Sequence, residues 1–234
     1  MSVIHIGENR LLSLLSIDDS DALTSRGDVV ALVKGTDLAR AGDVIEYCWF
    51  PLSGMASVIT SDEEDHQAEV GVVGNDGMVN SGVLTGGRYS SMRVLVQIGG
   101  SALRIDARTI LAVTARSASC LSLFTAFHQS LMIQAAYSAL AYAQYSIVKR
   151  LARWLLMCAD RVGEERIDLT HDALSIMLGV RRAGVTDALK TLEEAGAVVR
   201  QRGRLSILHR PTLLGIAGSG YGPAEAEYRH LVLR

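Results

Sequence analysis

The fold of the chain is decided by residues 169–210, LTHDALSIMLGVRRAGVTDALKTLEEAGAVVRQRGRLSILHR. Two short amphipathic helices are predicted here, the first beginning after the N-cap Thr170 and the second spanning about residues 181–195. A tight turn at Gly179 separates them, and Gly196 ends the second helix. The inward positions of both helices are apolar at helical spacing: Leu174, Met177, Leu178, Val185, Leu189 and Leu192. This pattern predicts a helix-turn-helix.

The second helix carries its polar side chains on the face opposite that apolar set. Arg181 and Arg182 lie in its first turn, the part of a recognition helix that meets base edges in the major groove. A guanidinium there can donate two hydrogen bonds to guanine O6 and N7, which contributes about 1–3 kcal/mol of discrimination. The expected DNA-contacting positions on this helix are Arg181, Arg182, Ala183, Thr186, Asp187 and Lys190.

Beyond the second helix, AVVR and LSIL flank QRGR and predict a two-stranded hairpin that turns at Gly203. We expect this hairpin to be a wing whose arginines, Arg200, Arg202 and Arg204, contact flanking phosphates rather than bases. The alternative is a protein-interaction module whose arginines are only solvated surface. The charge distribution favours DNA, since residues 1–143 carry 9 basic and 15 acidic groups whereas residues 144–234 carry 14 and 10.

A long helix is predicted before this unit, because residues 117–162 lack proline and glycine and are rich in Ala, Leu, Met and Gln. Its first part, about 25 residues long, should end at a hinge near residues 143–146. A second amphipathic helix should follow, with Leu151, Leu155 and Met157 or Cys158 inward. The first part carries an apolar stripe at steps of three and four: Leu121, Phe124, His128, Leu131, Ala135, Ser138 and Tyr142. The stripe predicts a homodimer seam, and packing on the chain's own sheet is the alternative.

Residues 28–106 consist of short apolar runs separated by Gly, Asp, Ser and Asn. The runs DVVALV, VIEYCWF, MASVIT, QAEVGVV, SMRVLVQI and SALRID predict strands. Glycines predict the turns between them, at positions 35, 42, 54, 74, 77, 82, 86, 87, 99 and 100. At this spacing an antiparallel sandwich or jelly-roll barrel is the natural closure. The preceding LLSLLS run predicts a short lead-in helix.

The composition excludes several classes of protein. With 234 residues, 49% of them hydrophobic and 21% charged, and a net charge of −2, the chain is neither disordered nor a wholesale basic coat for nucleic acid. Its longest apolar stretch, residues 131–143, is too short and too polar to span a membrane, and no basic leader precedes it, so we expect a cytoplasmic protein.

Cys48, Cys120 and Cys158 lie far apart in the sequence. They indicate buried reduced thiols rather than a metal site or disulfide, with a redox-sensing thiol as the alternative.

A glycine-rich antiparallel barrel, a long linking helix and a C-terminal winged helix-turn-helix together resemble the Crp/Fnr family of bacterial transcription regulators. The resemblance covers nearly the whole chain and is strongest over LSIMLGVRRAGVTDALKTLEEAG, with EYCWFPLSGMASVI and AEVGVVGNDGM similar to family strands. It implies an α+β fold: a cyclic-nucleotide-binding-like jelly-roll sensor domain over residues 1–116, a dimerisation helix over 117–143 and a DNA-binding domain over 144–234. It also implies a homodimer on a palindromic operator, with RNA polymerase as a further partner.

The chain departs from the family members that bind cyclic AMP at the phosphate-binding residues. Those members hold the ribose with a glutamate and the cyclic phosphate with an arginine-serine pair, and the resemblance places these three positions at Asn80, Ser90 and Ser91. The nearest arginine, Arg88, is two positions early. Loss of the guanidinium removes the charge-assisted partner of the phosphate. We therefore expect an effector pocket around these four residues that does not bind cyclic AMP; the effector is unknown and no cofactor is predicted.

The recognition helix departs from the cyclic AMP receptor as well. Of the Arg, Glu and Arg with which that protein reads DNA, only the first is retained, as Arg182, while Ala183 and Asp187 occupy the other two positions. Lys190 matches a family lysine close to phosphate. The resemblance therefore implies a different half-site sequence in which Arg182 keeps a guanine contact.

The family that the chain resembles also includes iron-sulfur and haem sensors, and a similar barrel occurs in cupin-like metalloenzymes. Three cysteines cannot supply the four thiolates of an iron-sulfur cluster, whereas a haem held through His5, His66 or His128 remains an alternative. A cupin-like metalloenzyme with a C-terminal interaction module is the alternative function. Cupin metals need two or three histidines, and residues 28–106 contain only His66, so no catalytic or metal site is predicted.

Overall fold

The computed structural model of the chain describes residues 8–64, 66–163, 166–167, 171–201 and 204–233. Two short helices, α1 (Arg10–Ser13) and α2 (Ile17–Thr24), precede the sheet. Asn9 caps α1 by accepting a hydrogen bond from the Leu12 N–H, and the Ser16 hydroxyl caps α2 in the same way. The lead-in helix predicted from LLSLLS is thus present, but it ends at Ser13.

Five antiparallel strands form the N-terminal sheet: β1 (Gly27–Leu32), β2 (Asp37–Ala39), β3 (Tyr47–Ser61), β4 (Gln67–Val73) and β5 (Arg93–Asp106). The strand order is β1-β5-β3-β4, and β2 also pairs with β5. Over the described residues the sheet does not close on itself, which is compatible with a jelly-roll-like arrangement. The predicted α+β fold class, with this sheet followed by a C-terminal helix-turn-helix, is confirmed.

Two long strands replace four of the predicted short ones. β3 joins the runs VIEYCWF and MASVIT, and β5 joins SMRVLVQI and SALRID. Gly54 lies inside β3 with a φ of +76°, and a Cβ there would come within 2.5 Å of the Ile98 carbonyl oxygen. A Cβ on Gly100 would come within 2.4 Å of Ser53. The turns predicted at Gly54, Gly99 and Gly100 are therefore wrong: at a bulge, these glycines let two long strands approach closely.

Three helices follow the sheet: α3 (Ala107–Thr114), α4 (Ala118–Gln144) and α5 (Ile147–Val162). The hydroxyls of Ser117 and Ser146 cap α4 and α5. The long helix has 27 residues, and the break between α4 and α5 falls within the predicted hinge. Leu151, Leu155 and Cys158 of α5 are fully buried, as the apolar spacing predicts.

The apolar stripe of α4 faces the chain's own sheet rather than solvent, which corrects its assignment to a dimer seam. Phe124 is fully buried against Phe50, with ring centroids 5.6 Å apart. His128 is hydrogen-bonded to Ser81, and the Tyr142 hydroxyl donates to the Met177 carbonyl at 2.7 Å. Leu131 and Ala135 are half-buried over the sheet, Ser138 is buried, and Leu121 is the one exposed member of the stripe. Spacing alone does not distinguish packing within the chain from packing between chains.

The C-terminal part contains a second, three-stranded sheet and four helices. In chain order these are β6 (Arg166–Ile167), α6 (His171–Leu178), α7 (Arg182–Glu194), β7 (Val198–Gln201), β8 (Arg204–Ile207), α8 (Arg210–Ala217) and α9 (Pro223–Val232). β6 adds a strand that the sequence pattern did not predict, pairing with β8. Helix α9 folds back against α4, and the Tyr228 hydroxyl donates to the Asp76 carbonyl at 2.7 Å. The C-terminal tail therefore ties the helix-turn-helix part to the N-terminal sheet.

All three cysteines are buried and free of disulfides. Burial raises the pKa of Cys48 and of Cys120 to about 12, so both thiols are protonated at neutral pH. This confirms the prediction of buried thiols. None of the helices in the described part of the chain combines the length and the apolarity that crossing a bilayer requires.

Candidate nucleic-acid interface

Helices α6 and α7 meet through the apolar residues that the sequence placed inward. Every one of the six is at most 2% exposed. Gly179 adopts a φ of +60° in the turn between the helices, a conformation that favours glycine. Gly196, with a φ of +68°, follows α7 at its C-terminal end. The buried face fixes how α7 is rotated and therefore which side chains it presents to solvent.

The exposed face of α7 contains all six predicted DNA-contacting positions: Arg181, Arg182, Ala183, Thr186, Asp187 and Lys190. Arg181 is the N-cap residue, and its side chain makes no capping hydrogen bond. Arg182 begins the helix. Both side chains thus lie at the positive dipole end of α7, a position suited to binding a polyanion.

Two further side chains on this face have partners within the helix. The Thr186 hydroxyl donates to the Arg182 carbonyl at 3.1 Å, which holds it against the helix backbone. The Lys190 ammonium lies 3.7 Å from the Glu194 carboxylate, and both side chains are about two-thirds exposed. An ion pair this exposed is weak, so Lys190 can exchange Glu194 for a phosphate.

The wing contributes fewer available cations than its sequence predicted. Arg200 donates to Glu193 from its side chain at 2.6 and 2.8 Å and from its backbone N–H at 2.9 Å. These hydrogen bonds, made with the Arg200 guanidinium, lower the pKa of the Glu193 carboxyl. Because the Arg200 guanidinium is bound to Glu193 of α7, we expect Arg200 to contribute less to phosphate binding than the sequence predicted. Arg204 is exposed at the start of β8, and Arg202, like the predicted N-cap Thr170, lies outside the described residues.

The predicted effector-pocket residues are only partly brought together. Asn80, Ser90 and Ser91 line a cavity of about 310 Å³ between the N-terminal sheet and α4. Asn80 has a φ of +66° and donates to the Tyr47 carbonyl at 2.8 Å, and Ser90 donates to the Met92 carbonyl at 2.7 Å. Arg88 is exposed, with its guanidinium 5.9 Å from the ring centre of Tyr89, and is not part of the cavity lining. Its inclusion in the pocket is corrected.

The histidines that the sequence offered as haem ligands lie apart. His66 is exposed on a turn with Nδ1 2.9 Å from an Asp62 carboxylate oxygen. His128 lines the 310 Å³ cavity, with Nδ1 3.0 Å from the Ser81 hydroxyl. His5 lies outside the described residues. The sequence pattern placed His128 in the α4 stripe and gave no sign that it would line this cavity.

Comparisons with known proteins agree with this geometry. Residues 149–216 match the family model of the Crp-like helix-turn-helix domain. FixK2 from Bradyrhizobium japonicum superposes with a TM-score of 0.71 at 13% identity, over 82% of this chain and 98% of that chain. The c-di-GMP-responsive global regulator CLP from Xanthomonas campestris gives 0.66 at 14%, over 83% and 100%.

A crp/fnr-family protein from Eubacterium rectale covers still more of this chain. Its TM-score is 0.63 at 16% identity, over 90% of this chain and 99% of that chain. No curated protein sequence matches the chain significantly. At identities this low the structural matches establish the fold, while the helix-turn-helix model establishes the type of the C-terminal domain.

Proposed function

We propose that the chain is a Crp/Fnr-type transcription regulator that binds a palindromic operator as a homodimer without responding to cyclic AMP. Its helix-turn-helix is a DNA-binding domain. The proposal includes a division at residues 116 and 143 into sensor domain, dimerisation helix and DNA-binding domain. It also includes a cytoplasmic location, RNA polymerase as a further partner, and the absence of catalysis.

The observation that carries the proposal is the exposure of Arg181 and Arg182 at the N-terminal end of α7. A recognition helix enters the major groove by this end, and arginine is the side chain that reads guanine with two hydrogen bonds. Asp187, one helical turn further on and also exposed, offers carboxylate oxygens that can accept from a cytosine amino group. We assign base reading to Arg182 and Asp187, and phosphate contact to Lys190 and Arg204.

The homodimer is supported by the exposed face of α4 rather than by its apolar stripe. None of the 27 residues of α4 is charged. Its solvent face exposes Met132 and Leu140, 54% and 43% exposed, together with the small residues Ala136, Ala139 and Ala143. A long uncharged face with small side chains suits close packing against a second copy of the same helix. Two copies of α7 would then read two half-sites about one DNA turn, or roughly 34 Å, apart.

The lack of a response to cyclic AMP is supported by the lining of the 310 Å³ cavity. No Arg or Lys of the described part of the chain lines it, and Arg88 lies outside it. A cyclic phosphate placed beside Ser90 and Ser91 would lose its hydration without meeting a cation. Hydrogen bonds from hydroxyl groups alone do not offset the free-energy cost of removing an anion from water.

The operator experiment starts from duplexes selected from a random pool by the full-length protein, followed by anisotropy titrations at several salt concentrations. Arg182→Ala should lose about 1–3 kcal/mol of discrimination at one base pair of each half-site. Arg204→Ala should weaken all duplexes equally and make the salt dependence shallower by about one. Arg108→Ala, a change at an exposed arginine on α3, is the matched control and should do neither. Failure to enrich any sequence, or a uniform loss with Arg182→Ala, would contradict the assignment.

The dimer is tested separately by sedimentation equilibrium of the full-length protein. Ala136→Glu places a charge in the middle of the exposed face of α4 and should convert a dimer into a monomer. Ser119→Glu, at the exposed N-terminal end of the same helix, is the control and should leave the dimer intact. A monomeric unmodified protein, or a dimer that survives Ala136→Glu, would refute the seam.

A further inference from the structure

The 310 Å³ cavity is enclosed by the N-terminal sheet, the 3-10 turn Ser81–Thr85 and α4. Its inner wall consists of Val58, Val73, Met78 and Val94, each less than a tenth exposed. Its mouth is marked by exposed residues on the sheet side, Thr85 and Tyr89. A small molecule can therefore enter from solvent and reach an apolar interior.

The cavity exists because the residues that line it have small side chains or none. Valine occupies the wall positions from three strands, and Gly71 and Gly82 add no side chain at all. Protein interiors are close-packed and seldom leave voids larger than a water molecule, whereas this cavity reaches the range of ligand pockets, about 300–1,000 Å³. A Cβ on Gly71 would lie 3.1 Å from the Leu131 side chain, so the wall and α4 are already in contact beside the cavity.

Among the residues that the structure describes, no Asp, Glu, Lys or Arg lines the cavity. Most of its polar groups are already bonded within the protein: Asn80 to the Tyr47 carbonyl, Ser90 to the Met92 carbonyl, and Ser81 to His128. Burial lowers the pKa of His128, which favours the neutral imidazole at physiological pH. The Ser81–His128 pair therefore lies in a mainly apolar lining, to which Tyr89 and Ser91 add further hydroxyl groups.

We propose that this cavity binds an uncharged, largely apolar organic molecule, of the size of a two- or three-ring aromatic compound, which hydrogen-bonds to the Ser81–His128 pair. An anion or a cation would be desolvated there without a partner of opposite charge. An apolar molecule instead gains from covering the valine walls, at about 25 cal/mol for each Å² removed from water. The expected ligand is thus uncharged and largely apolar, whereas a cyclic nucleotide is a polar anion.

The position of the ligand also gives it a route to the DNA-binding part. His128, Leu131 and Met132 belong to α4, whose exposed face carries the proposed dimer seam and which continues through the hinge into α5. A molecule held between the sheet and α4 contacts both and fixes their separation. The regulatory half of this inference rests on the proposed function, whereas the binding half does not.

The binding test uses the full-length protein and N-phenyl-1-naphthylamine, an uncharged apolar dye whose fluorescence rises when it leaves water. We expect saturable binding of one dye per chain, undiminished by excess cyclic AMP. Val94→Phe fills the cavity from the inner wall and should weaken dye binding at least tenfold. Val29→Phe, on the exposed side of β1, is the matched control and should bind as the unmodified protein does. Absence of saturable binding, displacement by cyclic AMP, or full binding by a folded Val94→Phe variant would overturn the proposal.

A second measurement locates the dye without any substitution, should Val94→Phe not fold. Amide hydrogen exchange of the unmodified protein with saturating dye should slow in residues 81–94 and in 123–136 of α4. Protection confined to other regions would overturn the proposed site. Operator affinity with and without the dye is then measured on its own, so that a failure of DNA binding and a failure of ligand binding are distinguishable.

Discussion

The recognition surface of α7 and the junction between α5 and the N-terminal sheet use charged side chains in opposite ways. On α7, Arg181 and Arg182 are exposed to water. At the junction, Arg161 and Asp76 are 7% and 6% exposed and pair with each other at 3.0 Å. An exposed cation keeps its hydration and can exchange it for a DNA phosphate, whereas a buried cation is committed to one partner. The arginines at the start of α7 are therefore positioned so that they could bind DNA, as proposed above, and charge at the junction fixes how the two parts of the chain sit together.

The buried pair is held by further hydrogen bonds from both parts of the chain. Arg161 donates to the carbonyls of Val72 in β4 and Met157 in α5, at 3.2 and 3.0 Å. The Asp76 carboxylate accepts from the Gly74 N–H at 3.0 Å. Gly74 is required here, because a Cβ would lie 2.6 Å from the Arg161 Cβ. The network leaves neither charge alone in the interior.

The largest expected effect comes from breaking this pair. Asp76→Asn keeps the shape of the side chain but removes the carboxylate that pairs directly with the buried Arg161 guanidinium. Loss of one partner of a buried pair costs about 3–5 kcal/mol, so the free energy of unfolding, measured with urea, should fall by that amount. Replacing both partners, as in Asp76→Asn with Arg161→Met, should recover part of the loss because neither charge of this pair then remains buried.

An exposed pair supplies the control for this prediction. Asp28 is bonded to Arg104 at 3.2 Å, but its side chain is 74% exposed. Asp28→Asn should therefore change the free energy of unfolding by less than about 1 kcal/mol, and Arg182→Ala by no more than about 0.5 kcal/mol. If Asp76→Asn costs no more than Asp28→Asn, the contrast between the two regions is wrong.

A second buried charge at the junction makes the contrast depend on pH. Glu69 in β4 accepts a hydrogen bond from the Trp154 indole N–H of α5 at 2.6 Å. Burial raises the pKa of Glu69 to about 7, and interactions with the Ser57 and Trp154 side chains and with the charges of Arg153 and Arg161 reduce that shift only in part. The neutral acid is therefore the form that the junction favours.

The expected pH dependence follows from linkage. Because the native pKa of Glu69 lies above that of the unfolded chain, its contribution to stability is full below about pH 4.5 and is lost as pH rises through about 7. Glu69→Gln stays neutral and keeps an acceptor for Trp154. The free energy of unfolding of Glu69→Gln relative to the unmodified protein should thus rise with pH, by about 3 kcal/mol between pH 4.5 and 8.

Comparison of the two proteins at each pH removes the titrations they share. One of these is His128, whose lowered pKa changes stability in the opposite direction as the pH falls. A stability difference between Glu69→Gln and the unmodified protein that is constant with pH would show that Glu69 is ionised in the native state.

The helix-turn-helix was predictable because its signals are local. Apolar spacing fixed the inward residues of α6 and α7, and Gly179 and Gly196 marked the turn and the end of α7. Given that rotation, the exposure of Arg182 and Asp187 follows from helix geometry alone. The site residues that the prediction placed correctly are those whose environment is set within one or two helical turns.

The remaining features depend on partners distant in sequence. Glu69 and Trp154 are separated by 85 positions, and no pattern in either neighbourhood indicates the other. The stripe of α4 is similar: its spacing predicts that the helix packs against another surface, but it does not indicate that this surface is the chain's own sheet. Gly54 was predicted to lie in a turn, but it lies at a bulge inside β3. Glycine is favoured at both places because both require a positive φ, so the residue type alone does not distinguish them.

The smallest expected effect concerns Arg200. This residue lies in the hairpin proposed as the wing, but its guanidinium is paired with a carboxylate of the protein, as that of Arg161 is at the junction. Its contacts with Glu193 are about two-thirds screened from solvent, so Arg200→Ala should lower the free energy of unfolding by roughly 0.5–1 kcal/mol. Its guanidinium is already bound to α7, so the salt dependence of operator binding should not change, whereas Arg204→Ala should make it shallower by about one. Titrations of both variants from 50 to 200 mM salt, the range over which phosphate contacts are most visible, separate the two roles. Equal shallowing by both substitutions would mean that Arg200 leaves Glu193 for the DNA backbone, and that pairing within the protein does not decide which arginines bind phosphate.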